Sequence, residues 1–190
     1  IPSNWSLSDD IRVEIDSHEK ARLQSLLQST STGNFMQTIE VMSVFRIENK
    51  LLWQRYTHAI QSMSASFAHR HETAHPVTPM VQNHKTMIPA LNEYSLWHGT
   101  TEEYAKLIGE YGFDERVSSL GGLYGAGLYF AENSNKSDQY AKPNQQKKQF
   151  MFYCRVLLGQ CFYAERTYRR KRRAPVMQAS GRAYDSIVIN

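Results

Sequence analysis

The residues with the clearest chemical content fall between Ser95 and Tyr140. Ser95-Leu96-Trp97 reads as a short apolar strand that runs into His98-Gly99-Thr100. A turn at a strand end exposes backbone amide and carbonyl, glycine allows a flat ligand to approach closely, and an imidazole can hydrogen-bond a ribose hydroxyl or a carboxamide. Taken alone, the tripeptide reads first as a structural histidine. The run Gly121-Gly122-Leu123-Tyr124-Gly125-Ala126-Gly127-Leu128-Tyr129-Phe130-Ala131 adds weight to the ligand reading. It lacks the Rossmann glycine spacing and has no Gly-Lys-Ser/Thr, which excludes a dinucleotide fingerprint and a P-loop. Beyond it, a helix opening at Ser134 and reaching about Tyr140 would bring Lys136, Ser137 and Tyr140 within one turn. An alcohol and an aromatic ring would then share nearly one face, as a pocket for an amide-bearing aromatic ring requires.

The elements that must position these groups follow from periodicity. Residues 11–15, Ile-Arg-Val-Glu-Ile, alternate as a half-buried strand does. Ser17 is the expected N-cap of a helix carrying Leu23, Leu26 and Leu27. Residues 29–34 read as a turn, 35–47 as containing a strand that gives Val41, Val44 and Ile47 to the core, and 48–67 as a helix. Residues 69–92 hold His69, His71, His75 and His84 among Pro76, Pro79 and Pro89. Their spacing lacks the i, i+4 pairing of a helical zinc site, so this stretch is expected to be a surface connector without metal. Residues 102–110 read as a helix ending at Gly112. Strands are expected at 128–131, 150–158 and 185–190.

Composition narrows the class. The chain has 190 residues, 41% hydrophobic and 21% charged, enough to bury a core and unlike a disordered tail or a coiled coil. The net charge of +4 is local: without the six basic residues of 166–173 the balance becomes −2, 16 basic against 18 acidic. The bulk of the surface is therefore not built for nucleic acid. Cys154 and Cys161 lie in what reads as one extended stretch, poorly placed to pair, and form no Cys-x-x-Cys zinc half-site. A reduced intracellular compartment, nucleus or cytoplasm, is expected. No window approaches a membrane span, and the start has no leader pattern.

Several ordered blocks resemble the catalytic domain of the poly(ADP-ribose) polymerase family, the diphtheria-toxin-like ADP-ribosyltransferases. They are His98-Gly99-Thr100, Gly112-Phe113-Asp114-Glu115-Arg116, residues 121–131, Lys136-Ser137-Asp138-Gln139-Tyr140, and Cys154-Arg155-Val156-Leu157-Leu158-Gly159. The middle is similar to the tankyrases, and the front, with Trp5 and residues 46–56, to mono-ADP-ribosylating members. The resemblance implies an α+β fold, a split antiparallel β-sheet with flanking helices, filling 1–190 as one catalytic domain. It also implies NAD+ as substrate and proteins, among them the chain itself, as acceptors of ADP-ribose.

By the same resemblance, His98 and Tyr129 match the first two members of the catalytic His-Tyr-Glu triad, with His98 on the adenosine-side ribose. Gly99 would hold the nicotinamide carboxamide through its backbone and Ser137 through its hydroxyl. Tyr129 and Tyr140 would flank the ring, Phe130 and Ala131 would line the site, and Lys136 would neutralise phosphate or acceptor charge. The tankyrase zinc-binding insertion has no counterpart in 141–149, so no metal is expected. Residues 184–190 look like the strand before the family's final hairpin, which would place the third triad residue beyond Asn190. Asp185 is expected to serve strand polarity or a local cap instead. Two other functions compete: an inactive NAD- or ADP-ribose-binding module, and a basic nucleic-acid-binding protein centred on 166–173.

Overall fold

The computed structural model describes residues 1–6, 10–31, 38–75, 77 and 88–189. Expectations that fall on Phe35, Pro76, Pro79, His84 and Asn190 lie outside the described residues. Strand β1, Arg12–Glu14, pairs antiparallel with β2, Phe45–Ile47. Between them helix α1 spans Ser17–Ser29. Its N-cap is Asp16, one residue before the expected Ser17: the carboxylate accepts from the Glu19 amide at 2.8 Å, a bond that satisfies one orphan donor of the first turn. Helix α2, Lys50–His69, follows, capped by the Asn49 side chain on the Leu52 amide.

The centre is the antiparallel pair of β3, Glu93–Thr100, with β4, Phe150–Leu157, in register from Glu93 opposite Leu157 to Thr100 opposite Phe150. Side-chain alternation sorts this pair into two faces. Glu93, Trp97, Met151, Tyr153, Arg155 and Leu157 meet the helices. Trp97 packs with Leu27 of α1, and Leu157 with the cluster of Phe67, Ala74 and Leu91. Glu93 is fully buried and its Oε1 is taken by Tyr56 Oη at 2.6 Å and Arg155 Nη2 at 2.6 Å. The Arg155 guanidinium also lies 5.2 Å from the Trp53 ring centre. A buried carboxylate is tolerable only with such partners, and here they tie α2 to the sheet. Burial, with the adjacent Glu93 carboxylate, raises the Tyr56 pKa.

The opposite face carries Tyr94, Leu96, His98, Phe152, Cys154 and Val156. Its core joins Tyr94, Leu96, Val77 and Cys161, with Phe130, Val156, Leu158 and Val188 packed against them. Helix α3, Glu102–Tyr111, leaves the end of β3 with Thr101 as N-cap. Helix α4 is a single short turn, Ser134–Asp138. Strands β5, Cys161–Tyr163, and β6, Ser186–Val188, pair in parallel, so the mixed architecture is α+β with antiparallel β1–β2 and β3–β4 and one parallel pair.

Three further expectations change. The strand at 128–131 shortens to one antiparallel bridge, Trp97 with Ala131, because the chain meets the β3 edge in backbone pairing only at Ala131. Cys154 and Cys161 stand on separate strands, divided by the turn at Gly159, where φ is +59°. Both are free, and burial pushes their thiols up to about 12, with Asp185 adding to the effect at Cys161. The connector gives Ala74, Val77 and Leu91 to the core rather than running wholly over the surface, since apolar side chains gain by leaving water. No helix among the described residues is long and apolar enough to cross a membrane.

Candidate active site

The notch between the end of β3 and the segment bearing Tyr129 gathers the chemistry. Trp97 N–H donates to Ala131 O at 2.7 Å and Ala131 N–H returns to Trp97 O at 2.9 Å. One residue on, the two segments part, and the next link is made by a side chain: His98 Nδ1 lies 2.7 Å from Tyr129 O. A carbonyl only accepts, so Nδ1 carries the proton of the neutral imidazole and Nε2 is left with a lone pair. Burial lowers the His98 pKa, outweighing the carbonyl bond that raises it, and so favours this neutral form. Phe113 meets the imidazole edge-on with centroids 4.9 Å apart, and Phe130 lies tilted at 5.3 Å. These two rings, 5.1 Å apart, fix the imidazole plane.

Because backbone groups alternate in direction along a strand, Gly99 presents its N–H and C=O toward the same edge as Trp97. No backbone bond from the Tyr129 segment closes on Gly99. The backbone donor and acceptor of buried Gly99 thus stand side by side at the edge, complementary to a carboxamide.

The packing of α4 itself requires the absence of a side chain at Gly99. A Cβ there would lie 1.8 Å from Ser137 O and 3.1 Å from Ala141 N. Glycine admits the backbone of α4 against β3. The Ser137 hydroxyl, buried, donates to Trp97 O at 2.9 Å, and Ser134 Oγ is equally buried and bonds to Leu27 O at the end of α1. Thr30 completes this inner wall, its hydroxyl accepting from Trp97 Nε1 at 3.0 Å while donating to Leu26 O at 2.8 Å.

Tyr129 belongs to the glycine-rich loop. Its hydroxyl donates to Gly125 O at 2.7 Å and accepts from Tyr124 N at 3.1 Å. Tyr140 follows α4, is 52% exposed and makes no ring contact with Tyr129. Lys136 points outward, bonded to Gln139 Oε1 at 3.3 Å. Phe130 supports the imidazole and the core, and Ala131 carries the bridge. The fold therefore brings His98, Gly99, Tyr129 and Ser137 together, with Lys136 and Tyr140 at the rim.

Spacing and type do not mark Phe113, Trp97 and Thr30 as site residues, and they mark Ser134 only as the start of a helix. Phe113 had a signal, the block Gly112–Arg116, whereas Thr30 lies 67 positions from its partner Trp97 and had none. Asp185 is structural, as expected: it accepts from Gln160 N at 2.8 Å and pairs with Arg182 at 3.1 Å. Among the described residues no group of three His, Cys, Asp or Glu is arranged to hold a metal ion. Two shallow hollows lie elsewhere, about 470 Å³ beside α1 at Lys20 and Gln24, and about 540 Å³ beside His75 and Tyr184. Neither touches His98 or Tyr129.

Known proteins are similar in sequence over these segments. Residues 17–183 match the family model of the poly(ADP-ribose) polymerase catalytic domain. A probable poly [ADP-ribose] polymerase of Dictyostelium discoideum is 32% identical over 156 residues, covering 78% of this chain and 39% of its own. The mouse protein mono-ADP-ribosyltransferase PARP11 is 24% identical over 196 residues, 90% of this chain and 52% of its own. Human protein mono-ADP-ribosyltransferase PARP12 is 28% identical over 168 residues, 84% and 20% respectively. The chain thus spans about half or less of the length of these relatives. From the first turn of α1 to the approach to β6, it belongs to the poly(ADP-ribose) polymerase catalytic domain family.

Proposed function

We propose that this chain is a protein ADP-ribosyltransferase that uses NAD+ as substrate, within a reduced intracellular compartment in keeping with its free thiols. The observation that carries the reading is the unpaired N–H and C=O of buried Gly99, flanked by His98 Nε2 and by Tyr129. A carboxamide has a matching acceptor and donor, so nicotinamide seated there would be fixed in its plane. Ser137 Oγ adds a third contact by turning its proton from Trp97 O, which keeps its bond from Ala131 N. His98 Nε2 accepts a ribose hydroxyl, and Tyr129 and Tyr140 flank the nicotinamide ring, with Lys136 at the anionic rim.

In this arrangement the bond between nicotinamide and ribose C1″ breaks with its electron pair going to the nicotinamide ring, which leaves neutral. An oxygen of a protein side chain, a carboxylate being the simplest, bonds to C1″ in its place. Immobilising both the leaving ring and the ribose lowers the entropic share of the barrier. Single-unit transfer is the favoured mode, in keeping with the names of the mouse and human relatives. Intact-protein mass spectrometry after incubation with NAD+ tests this: discrete additions of one ADP-ribose support it, a ladder on one site indicates elongation, and binding without addition indicates an inactive module.

A further inference from the structure

The run 166–173 forms neither helix nor strand but a strap laid on the glycine-rich loop. Tyr168 N–H donates to Leu123 O at 2.8 Å, Arg170 N–H to Leu120 O at 3.3 Å, and Ala126 N–H to Lys171 O at 2.8 Å. Gly125, at φ +92°, makes the seat possible, since a Cβ there would lie 2.4 Å from Lys171 O. The loop and strap are therefore joined backbone to backbone, and the basic side chains take no part in the joint.

Those side chains, Arg166, Arg169, Arg170, Lys171, Arg172 and Arg173, are all exposed. Among the described residues none has a carboxylate partner. Arg22, Arg46, Arg70, Arg116, Arg155 and Arg182, by contrast, are all ion-paired. The loop under the strap adds exposed Leu120 and Leu123, whose carbonyls receive the strap's amides, so apolar and cationic groups stand beside each other. The same loop holds the Tyr129 hydroxyl through Gly125 O.

We propose that the strap and the loop beneath it form a docking surface for an acidic protein segment that also carries apolar side chains, separate from the side chain that is modified. Charge complementarity gives the attraction, and Leu120 and Leu123 give a polypeptide something that a phosphate backbone would not use. The one aromatic ring within the run, Tyr168, is half-buried and packs on Phe162 with centroids 6.3 Å apart, so the run offers no stacking platform for bases. Selection of acceptors by this surface rests on the transferase reading above; binding of the segment does not.

The test is fluorescence anisotropy of a labelled 20-residue peptide of Glu-Glu-Leu repeats, without NAD+, over a range of salt concentrations. The unmodified chain should bind, more weakly as salt rises. Glutamine at Arg169, Arg170, Lys171, Arg172 and Arg173 together should weaken binding about tenfold or more and flatten the salt dependence. Leu120→Ser with Leu123→Ser should weaken it a few-fold with the salt dependence kept. Lys142→Gln with Lys147→Gln, basic changes elsewhere, should alter nothing. Equal binding by the five-glutamine variant, with its thermal unfolding unchanged, overturns the proposal, as does single-stranded RNA of equal length displacing the peptide at lower concentration. A chain that binds the peptide but fails to turn over NAD+ keeps this inference and loses the transferase reading.

Discussion

On the inner side of the notch, the Thr30 hydroxyl links Trp97 to Leu26, the Ser134 hydroxyl bonds to Leu27 and the Ser137 hydroxyl to Trp97, and all three side chains are buried. On the outer side, the glycine-rich loop and the strap are joined by backbone bonds at Leu120, Leu123 and Ala126, under exposed side chains. The inner wall is specified by side-chain chemistry from α1, β3 and α4, whereas the outer wall is specified by the conformational freedom of glycine. A wall of the first kind fixes geometry and tolerates little change. A wall of the second kind leaves its side chains free to meet a partner.

The contrast breaks most visibly at Gly99. Gly99→Ala puts a methyl 1.8 Å from Ser137 O, which is backbone and cannot swing aside. We expect a loss of about 1–3 kcal/mol or more in thermal unfolding together with loss of nicotinamide release, since α4 must leave β3. Thr30→Val keeps the shape but strands the buried Trp97 indole N–H, and should cost about 1–3 kcal/mol by denaturant titration, with a raised KM for NAD+. Gly125→Ala tests the outer wall: the positive φ and the nearby Lys171 O should cost about 1–2 kcal/mol. It should reduce peptide binding more than NAD+ affinity, the reverse of the Thr30 variant.

The mildest change sharpens the comparison through pH. Burial lowers the His98 pKa, so the unfolded chain takes up this proton near the ordinary value of 6.5 while the folded one does not. The stability contribution of neutral His98 is complete above 6.5 and is lost progressively as pH falls toward the lowered folded value. Turnover of the folded chain should hold through that window and fall only as pH drops through the lowered folded value, because a protonated Nε2 donates and can no longer accept a ribose hydroxyl. Comparison of denaturant midpoints for the unmodified chain and His98→Gln between pH 7 and pH 5 checks it, with the difference narrowing toward acid.

How far the sequence alone leads can be judged residue by residue. That His98 and Gly99 end a strand, Tyr129 follows a glycine run and Ser137 sits in a short helix was legible, because these are local signals, whereas their roles rest on the resemblance. The packing of Gly99 against α4 was not legible, since its close neighbour is the backbone of Ser137 and no pattern reveals which chain segment will approach. Thr30 was illegible for the same reason: its bond to Trp97 exists only once α1 lies across β3. The strand at 128–131 looked longer than it is because apolar alternation reports burial, and Phe130 is half-buried against His98 without pairing in a ladder. Nor does alternation disclose strand direction, so the parallel pairing of β5 with β6 could not be read in advance.

The central claim is that His98 and the open edge of Gly99 together hold NAD+. Calorimetric titration of NAD+ into the unmodified chain and into His98→Ala tests it most directly, with circular dichroism to confirm that the variant is folded. Saturable binding by the first and affinity about tenfold or more weaker in the second is the predicted result. Equal affinity in the two folded proteins would contradict the account.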